Sequence, residues 1–213
     1  MNLLIKKVVL GVIVCSAFAS APFAMADVGS PTVPTSQKVS ALTMHVIGTI
    51  TNTTCDIRPY TTAGADATTL NMGVITKAAA SQPVSFFLKP ANGCTDGITS
   101  GSTSADITWE SNGLTEHGIS NMYGTAKNVH VELSPENGSG NSAAEIDTSA
   151  SSVADGGLIK TGAQTVVYNK IATTASTPSP LPFKYNVKFV SDDGSDMNAG
   201  TVDTDISYTV AYK

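Results

Sequence analysis

Gly200–Lys213 reads GTVDTDISYTVAYK. Ile206, Tyr208, Val210 and Tyr212 occupy alternate positions, with Ser207, Thr209 and Ala211 between them. Alternation of this kind is the period of a half-buried β-strand, whose successive side chains point to opposite faces. The strand is expected to run to the last residue, so its apolar face stops abruptly at Lys213. Such a strand must be covered by something, because a bare hydrophobic sheet edge templates aggregation.

A second stretch fits it. In Leu42-Thr-Met44-His-Val46-Ile-Gly48-Thr-Ile50, the residues Leu42, Met44, Val46, Gly48 and Ile50 share one face. Between these two ends the same period recurs. Strands are expected at Leu70–Thr76, Pro83–Lys89, Ala105–Glu110, Asn128–Leu133, Gln164–Ile171 and Pro182–Val190. In the last of these, Phe183, Tyr185, Val187 and Phe189 lie on one side. Tyr60–Thr69 and the Gly/Ser/Asn/Ala-rich Ser134–Gly157 read as loops, and Ser191–Asn198 as a turn. Short alternating strands with regular turns and no convincing helix predict an all-β sandwich.

Composition narrows the function. The chain has 213 residues, 17 acidic against 12 basic, and a formal charge of −5. That balance disfavours a nucleic-acid binder, which needs a basic face for phosphates. A hydrophobic fraction of 41% is enough to fill a core.

The first 26 residues carry the parts of a secretory signal: Lys6 and Lys7, the apolar run Val8–Phe18, and Ala24-Met-Ala26 before Asp27. The apolar run is too short to span a bilayer. Cleavage would leave 187 residues and, with two lysines gone, a charge of −7. Asp27–Lys38, with Pro31 and Pro34, reads as a flexible leader. The mature chain keeps Cys55 and Cys94, which in an exported protein predict one disulfide, the alternative being two buried thiols. Closing a loop of roughly 40 residues is worth about 4 kcal/mol by chain entropy.

The two ends carry a resemblance. Gly48 precedes Cys55 by seven residues (G-TITNTT-C), Cys94 follows 39 residues later, Gly200 stands fourteenth from the end, and Tyr212 is penultimate. In these features the chain resembles the pilin subunits of chaperone–usher fimbriae, of the type 1 and P pilus kind, and most resembles a major shaft subunit. The resemblance implies an incomplete immunoglobulin-like β-sandwich completed by donor-strand exchange. It divides the chain into a signal peptide (1–26), an N-terminal extension with the donor strand (27–50) and a pilin domain (51–213). Leu42, Met44, Val46, Gly48 and Ile50 would be the donor residues, Gly48 sitting where the groove is shallow. Gly200, Ile206, Tyr208, Val210, Tyr212 and Lys213 would form the acceptor groove and the contact for a periplasmic chaperone. The implied partners are neighbouring copies in a homopolymer, that chaperone, an outer-membrane usher and a host receptor, with no nucleic acid. The implied location is a cell-surface fimbrium reached through the periplasm. A return of the donor strand into its own groove looks strained, given the short connection from Gly48 to the core around Cys55.

Other classes weigh less. No G-x-S-x-G, H-E-x-x-H or supported S-x-x-K pattern appears, so an enzyme is not expected. Cofactor and metal are not expected either: His45, His117 and His130 lack ligand spacing, and Asp192-Asp-Gly-Ser-Asp196 lacks the bidentate acid of a calcium loop. The alternatives are a minor adaptor pilin and a carbohydrate-binding adhesin, for which Trp109 and Tyr123 with the 134–157 loop would supply the surface.

Overall fold

A computed structural model describes residues 57–76, 78–90, 104–140, 142–172 and 180–213, together with the strand pairing of 38–50. The segments expected to be a signal peptide and a leader, before Lys38, and Cys55 and Cys94 of the expected disulfide lie outside the described residues. One compact unit runs from Ser36 to Lys213. It therefore includes Lys38–Ile50.

In chain order the strands are β1 (Lys38–Ile50), β2 (Ile57–Thr61), β3 (Thr69–Asn71), β4 (Ile75–Thr76), β5 (Val84–Pro90), β6 (Ala105–Glu110) and β7 (Leu114–Thr115). They continue with β8 (Gly118–Ser120), β9 (His130–Glu136), β10 (Glu145–Ile146), β11 (Thr165–Lys170), β12 (Phe183–Val190) and β13 (Thr201–Tyr212). No helix occurs among the described residues. Two sheets form. Sheet I has the order β10-β11-β6-β13-β1-β3, with β4 also on β1; sheet II has the order β2-β5-β12-β9-β8-β7. Among the described residues the strand pairings are antiparallel except that of β1 with β13, which is parallel.

Period-two alternation puts one side of each strand between the sheets. On β12 that side is Phe183, Tyr185, Val187 and Phe189; on β6 it is Ala105, Ile107 and Trp109; on β13 it is Val202, Thr204, Ile206, Tyr208 and Val210. All of these are buried. Trp109 is the hub, its ring centre 4.9 Å from that of Tyr185, 5.3 Å from Tyr208 and 6.3 Å from Phe86. Tilted and edge-on rings at such spacings match the quadrupoles of aromatic faces and edges. This corrects the expectation that Trp109 could help form a receptor surface: its indole is 0% exposed, whereas Tyr123 is 58% exposed.

Three further expectations change. Tyr60–Thr69 is not all loop, because β2 begins at Ile57 and includes Tyr60 and Thr61. Its Pro59 is tolerated because β2 lies at the edge of sheet II, where a missing N–H costs little. Leu70–Thr76 splits into β3 and β4 around Gly73, whose φ of +70° interrupts the strand. Ser134–Gly157 is not a mere surface excursion. β9 extends through Glu136, and Ala143, Ala144, Ile146 and Val153 are buried. The Ser191–Asn198 turn is as expected: Asp193 Oδ1 accepts from Ser195 N at 2.9 Å, Ser195 Oγ at 2.6 Å and Asn128 Nδ2 at 2.7 Å. Those bonds, Ser195's foremost, hold its carboxyl well below the usual range.

Burial pushes the phenol pKa values of Tyr168, Tyr185 and Tyr212 up. In the unfolded chain tyrosine ionises near pH 10. A folded-state pKa raised above that value gives stability that is complete below about pH 10 and is lost as pH rises beyond it. Tyrosinate absorbance for these three of the six tyrosines is therefore expected to appear together with loss of near-UV dichroism. A gradual titration of all six with the fold intact would contradict their burial.

Candidate functional site: the last strand and its two edges

β13 carries most of the residues singled out at the C-terminal end. Ile206, Tyr208 and Val210 face inward and are buried; Tyr212 is partly buried and packs on the same core. The Tyr208 hydroxyl donates to the Ile57 carbonyl at 2.6 Å and so ties β13 of sheet I to β2 of sheet II. Lys213 is exposed, with Nζ on the Asp106 carboxylate and its backbone N–H and carbonyl exchanging bonds with Ser104. Gly200 has φ +152°, and a Cβ there would meet Ala126 N at 2.4 Å and its Cα at 2.6 Å. The turn into β13 thus needs glycine for a close backbone approach as well as for its dihedral.

The two edges of β13 are filled differently. On one edge β6 pairs with Ser207–Tyr212. Beyond the end of β6 the loop 121–126 takes over: Tyr123 N donates to Asp203 O at 3.0 Å and Ala126 N to Thr201 O at 2.9 Å. Asn121 Oδ1 accepts from Asp203 N at 2.8 Å, and Thr125 Oγ1 from Thr201 N at 3.0 Å. On the other edge β1 alone pairs with β13 among the described residues. The register runs from Ser40 opposite Thr201 to Ile50 opposite Val210. Met44 stands opposite Thr204, Val46 opposite Ile206 and Gly48 opposite Tyr208; Leu42 falls within the register shift between Ser40 and Thr43. The structure therefore brings Met44, Val46, Gly48 and Ile50 alongside the buried positions of β13.

This pairing lies within one chain, the return that the short connection made look strained. The parallel direction removes the difficulty. Ile50 emerges beside Val210, and the chain continues to β2 of the other sheet at Ile57. Seven residue steps reach at most about 25 Å, and facing sheets lie only about 10 Å apart.

The opposite side of the sandwich is closed by the 134–161 segment. After β10, Asp147 N donates to Val167 O at 2.7 Å and Ser152 N to Thr165 O at 2.9 Å. Ser151 Oγ accepts from Val167 N at 2.8 Å and Ser152 Oγ from Thr165 N at 2.9 Å. Two serine side chains thus stand in for strand backbone along β11. The segment then crosses to sheet II, where Gly156 N reaches Pro135 O, Ile159 N reaches Leu133 O and Thr161 N reaches Thr115 O, all within 2.9 Å. Sequence reading missed this seal because small polar residues look like loop, although buried Ala144 and Ile159 are its anchors. Among the described residues no group of three or more His, Cys, Asp and Glu is gathered as a metal site.

No protein-family model matches the chain, and no curated protein is found to be similar to it.

Proposed function

We propose that this protein is an exported structural subunit of a surface fimbria. It polymerises head to tail by donor-strand complementation and so supports cell adhesion. The observation that carries this reading is the dependence of β13 on β1. One edge of the last strand is filled by β6 and the 121–126 loop, and the far side of the sandwich is sealed by 134–161. The remaining edge rests on β1, the first described strand, which pairs with β13 along its length and also with β3 and β4.

A strand held this way is suited to exchange. Its main chain supplies hydrogen bonds and its alternate side chains supply specificity, which is β-augmentation. Burying Leu42, Met44, Val46 and Ile50 at about 1.5–3 kcal/mol each gives roughly 6–12 kcal/mol before ordering costs. With a donor at one end and an acceptor along β13, the contact is heterologous and propagates into a filament. In this reading the sandwich is immunoglobulin-like. A periplasmic chaperone occupies the β13 edge first, and the β1 strand of the next copy replaces it at an outer-membrane usher. The in-chain β1–β13 pairing favours a second reading, a complete monomeric sandwich in which β1 is an ordinary first strand.

Gly48→Leu separates the two. Donor insertion predicts that overfilling a shallow pocket reduces fibre yield on the cell surface at least several-fold, with the subunit still present in the periplasm. It also predicts that assembled parent protein runs as an SDS-resistant ladder. Unaltered fibre yield, or a parent protein found only as monomer, supports the complete sandwich instead.

A further inference from the structure

The edge of β13 that faces β6 is longer than β6 itself. β6 ends at Glu110, opposite Ser207, while β13 begins six residues earlier, at Thr201. Alternate residues of a strand bond to the same side, so Asp205, Asp203 and Thr201 carry this row of backbone groups past the end of β6. Each is met by something other than a strand. Ser111 Oγ donates to Asp205 O at 2.6 Å. Asn121 Oδ1 and the Tyr123 N–H take the N–H and the carbonyl of Asp203. Thr125 Oγ1 and the Ala126 N–H do the same for Thr201.

Asn121 holds this arrangement together. Its Nδ2 donates to Ala126 O at 2.9 Å and to Thr201 O at 3.1 Å, and its Oδ1 accepts from Gly124 N at 3.0 Å as well as from Asp203 N. One side chain thus both folds the loop and fastens it to β13. The fit is close. A Cβ on Gly124 would meet Thr201 O at 2.1 Å and Asn121 Oδ1 at 2.3 Å, and from the strand side a Cβ on Gly200 would meet Ala126 N at 2.4 Å. Glycine lets the two backbones approach, and backbone atoms cannot step aside as the end of a flexible side chain can. An uncovered row of strand backbone is a template for an added strand. The strand whose fit to these residues is known is Lys38–Ile50, which pairs with Thr201–Val210 along the opposite edge.

We propose that the 121–126 loop is an edge guard. It keeps the Lys38–Ile50 strand of a second copy off the β6-side edge of β13 and so confines that strand to the β1 edge. Asn121 and Gly124 are the residues that set this choice. The guard acts in the same way whether β1 comes from its own chain or from a neighbour, so it does not depend on the donor-strand reading.

The test is amide hydrogen exchange of the purified protein, followed residue by residue by NMR, with and without a synthetic Lys38–Ile50 peptide. In the parent the Thr201 and Asp203 amides are expected to exchange slowly, and the peptide is expected to leave them unchanged. In Asn121→Ala, which removes the bonds, and in Gly124→Ala, which pushes the loop away by bulk alone, both amides are expected to exchange at least about tenfold faster. Added peptide is then expected to slow them again by a similar factor. The Thr209 and Ala211 amides, on the stretch paired with β6, should stay as slow as in the parent and report an intact fold. Should both variants misfold, Thr125→Val removes the acceptor of the Thr201 N–H and is expected to give the same two effects at Thr201 alone. Unchanged exchange in the folded variants, opened amides that the peptide does not protect, or a parent whose Thr201 and Asp203 amides respond to the peptide would each overturn the proposal. The Thr204 and Ile206 amides point to the β1 edge, so they report strand exchange there separately.

Discussion

Deletion of Asp27–Ile47 is expected to leave a chain that does not accumulate as a folded monomer, and a synthetic peptide spanning Lys38–Ile50 is expected to restore it. β1 supplies the whole register along one edge of β13 from Thr201 to Val210 and is also the neighbour of β3 and β4. Without it the backbone groups on that edge of β13 lose their partners. The strand itself cannot simply withdraw, since Val202, Ile206, Tyr208 and Val210 are core residues. A domain's net stability is only about 5–15 kcal/mol, so losing the strand that pairs along one edge of β13 and with β3 and β4 removes most of it. Recovery is measured as soluble, protease-resistant protein with and without peptide. Rescue in trans is what a donor strand must be able to do. A truncated chain that is already a stable monomer would remove the basis of the donor-strand reading. A truncated chain that is unfolded and not rescued by peptide would favour the complete sandwich.

Trp109→Ala is expected to lower stability by about 3–5 kcal/mol, the cost of a large aromatic removed from a packed core. For a domain of this size each kcal/mol shifts the midpoint by about 2–4 °C, so Tm should fall by roughly 6–20 °C. The indole touches both layers: β6 carries it on sheet I, and Phe86 and Tyr185 meet it from sheet II. Relaxation therefore cannot refill the hole without moving a sheet. Tyr123→Ala, at an exposed position, should change stability by no more than about 0.5 kcal/mol. Thermal melts followed by far-UV dichroism compare them; equal Tm values would contradict the opposed placements of the two residues.

The contrast between Trp109 and Tyr123 shows where sequence reading succeeds. ADITWE was read as a strand, and its alternation sets Ala105, Ile107 and Trp109 on one face, the inner one. The expectation of a ligand surface at Trp109 ignored its own period. The β2 strand escaped notice because Pro59 interrupts its pattern, although Ile57 and Pro59 both face inward. The 134–161 seal escaped because its pairing uses serine hydroxyls and isolated N–H groups, which leave no periodic trace. At Lys38–Ile50 the strand itself was legible from Leu42 onward. Its register was not, and neither was its direction relative to β13.

The sequence by itself determined which residues of each strand turn inward, because side chains alternate on a β-strand whatever its neighbours are. Tertiary structure alone decided that Lys38–Ile50 runs parallel to Thr201–Tyr212 and that one flank of the sandwich is sealed. Each of these depends on residues far apart in the chain meeting in space, and a local pattern holds no information about which distant edge it will meet.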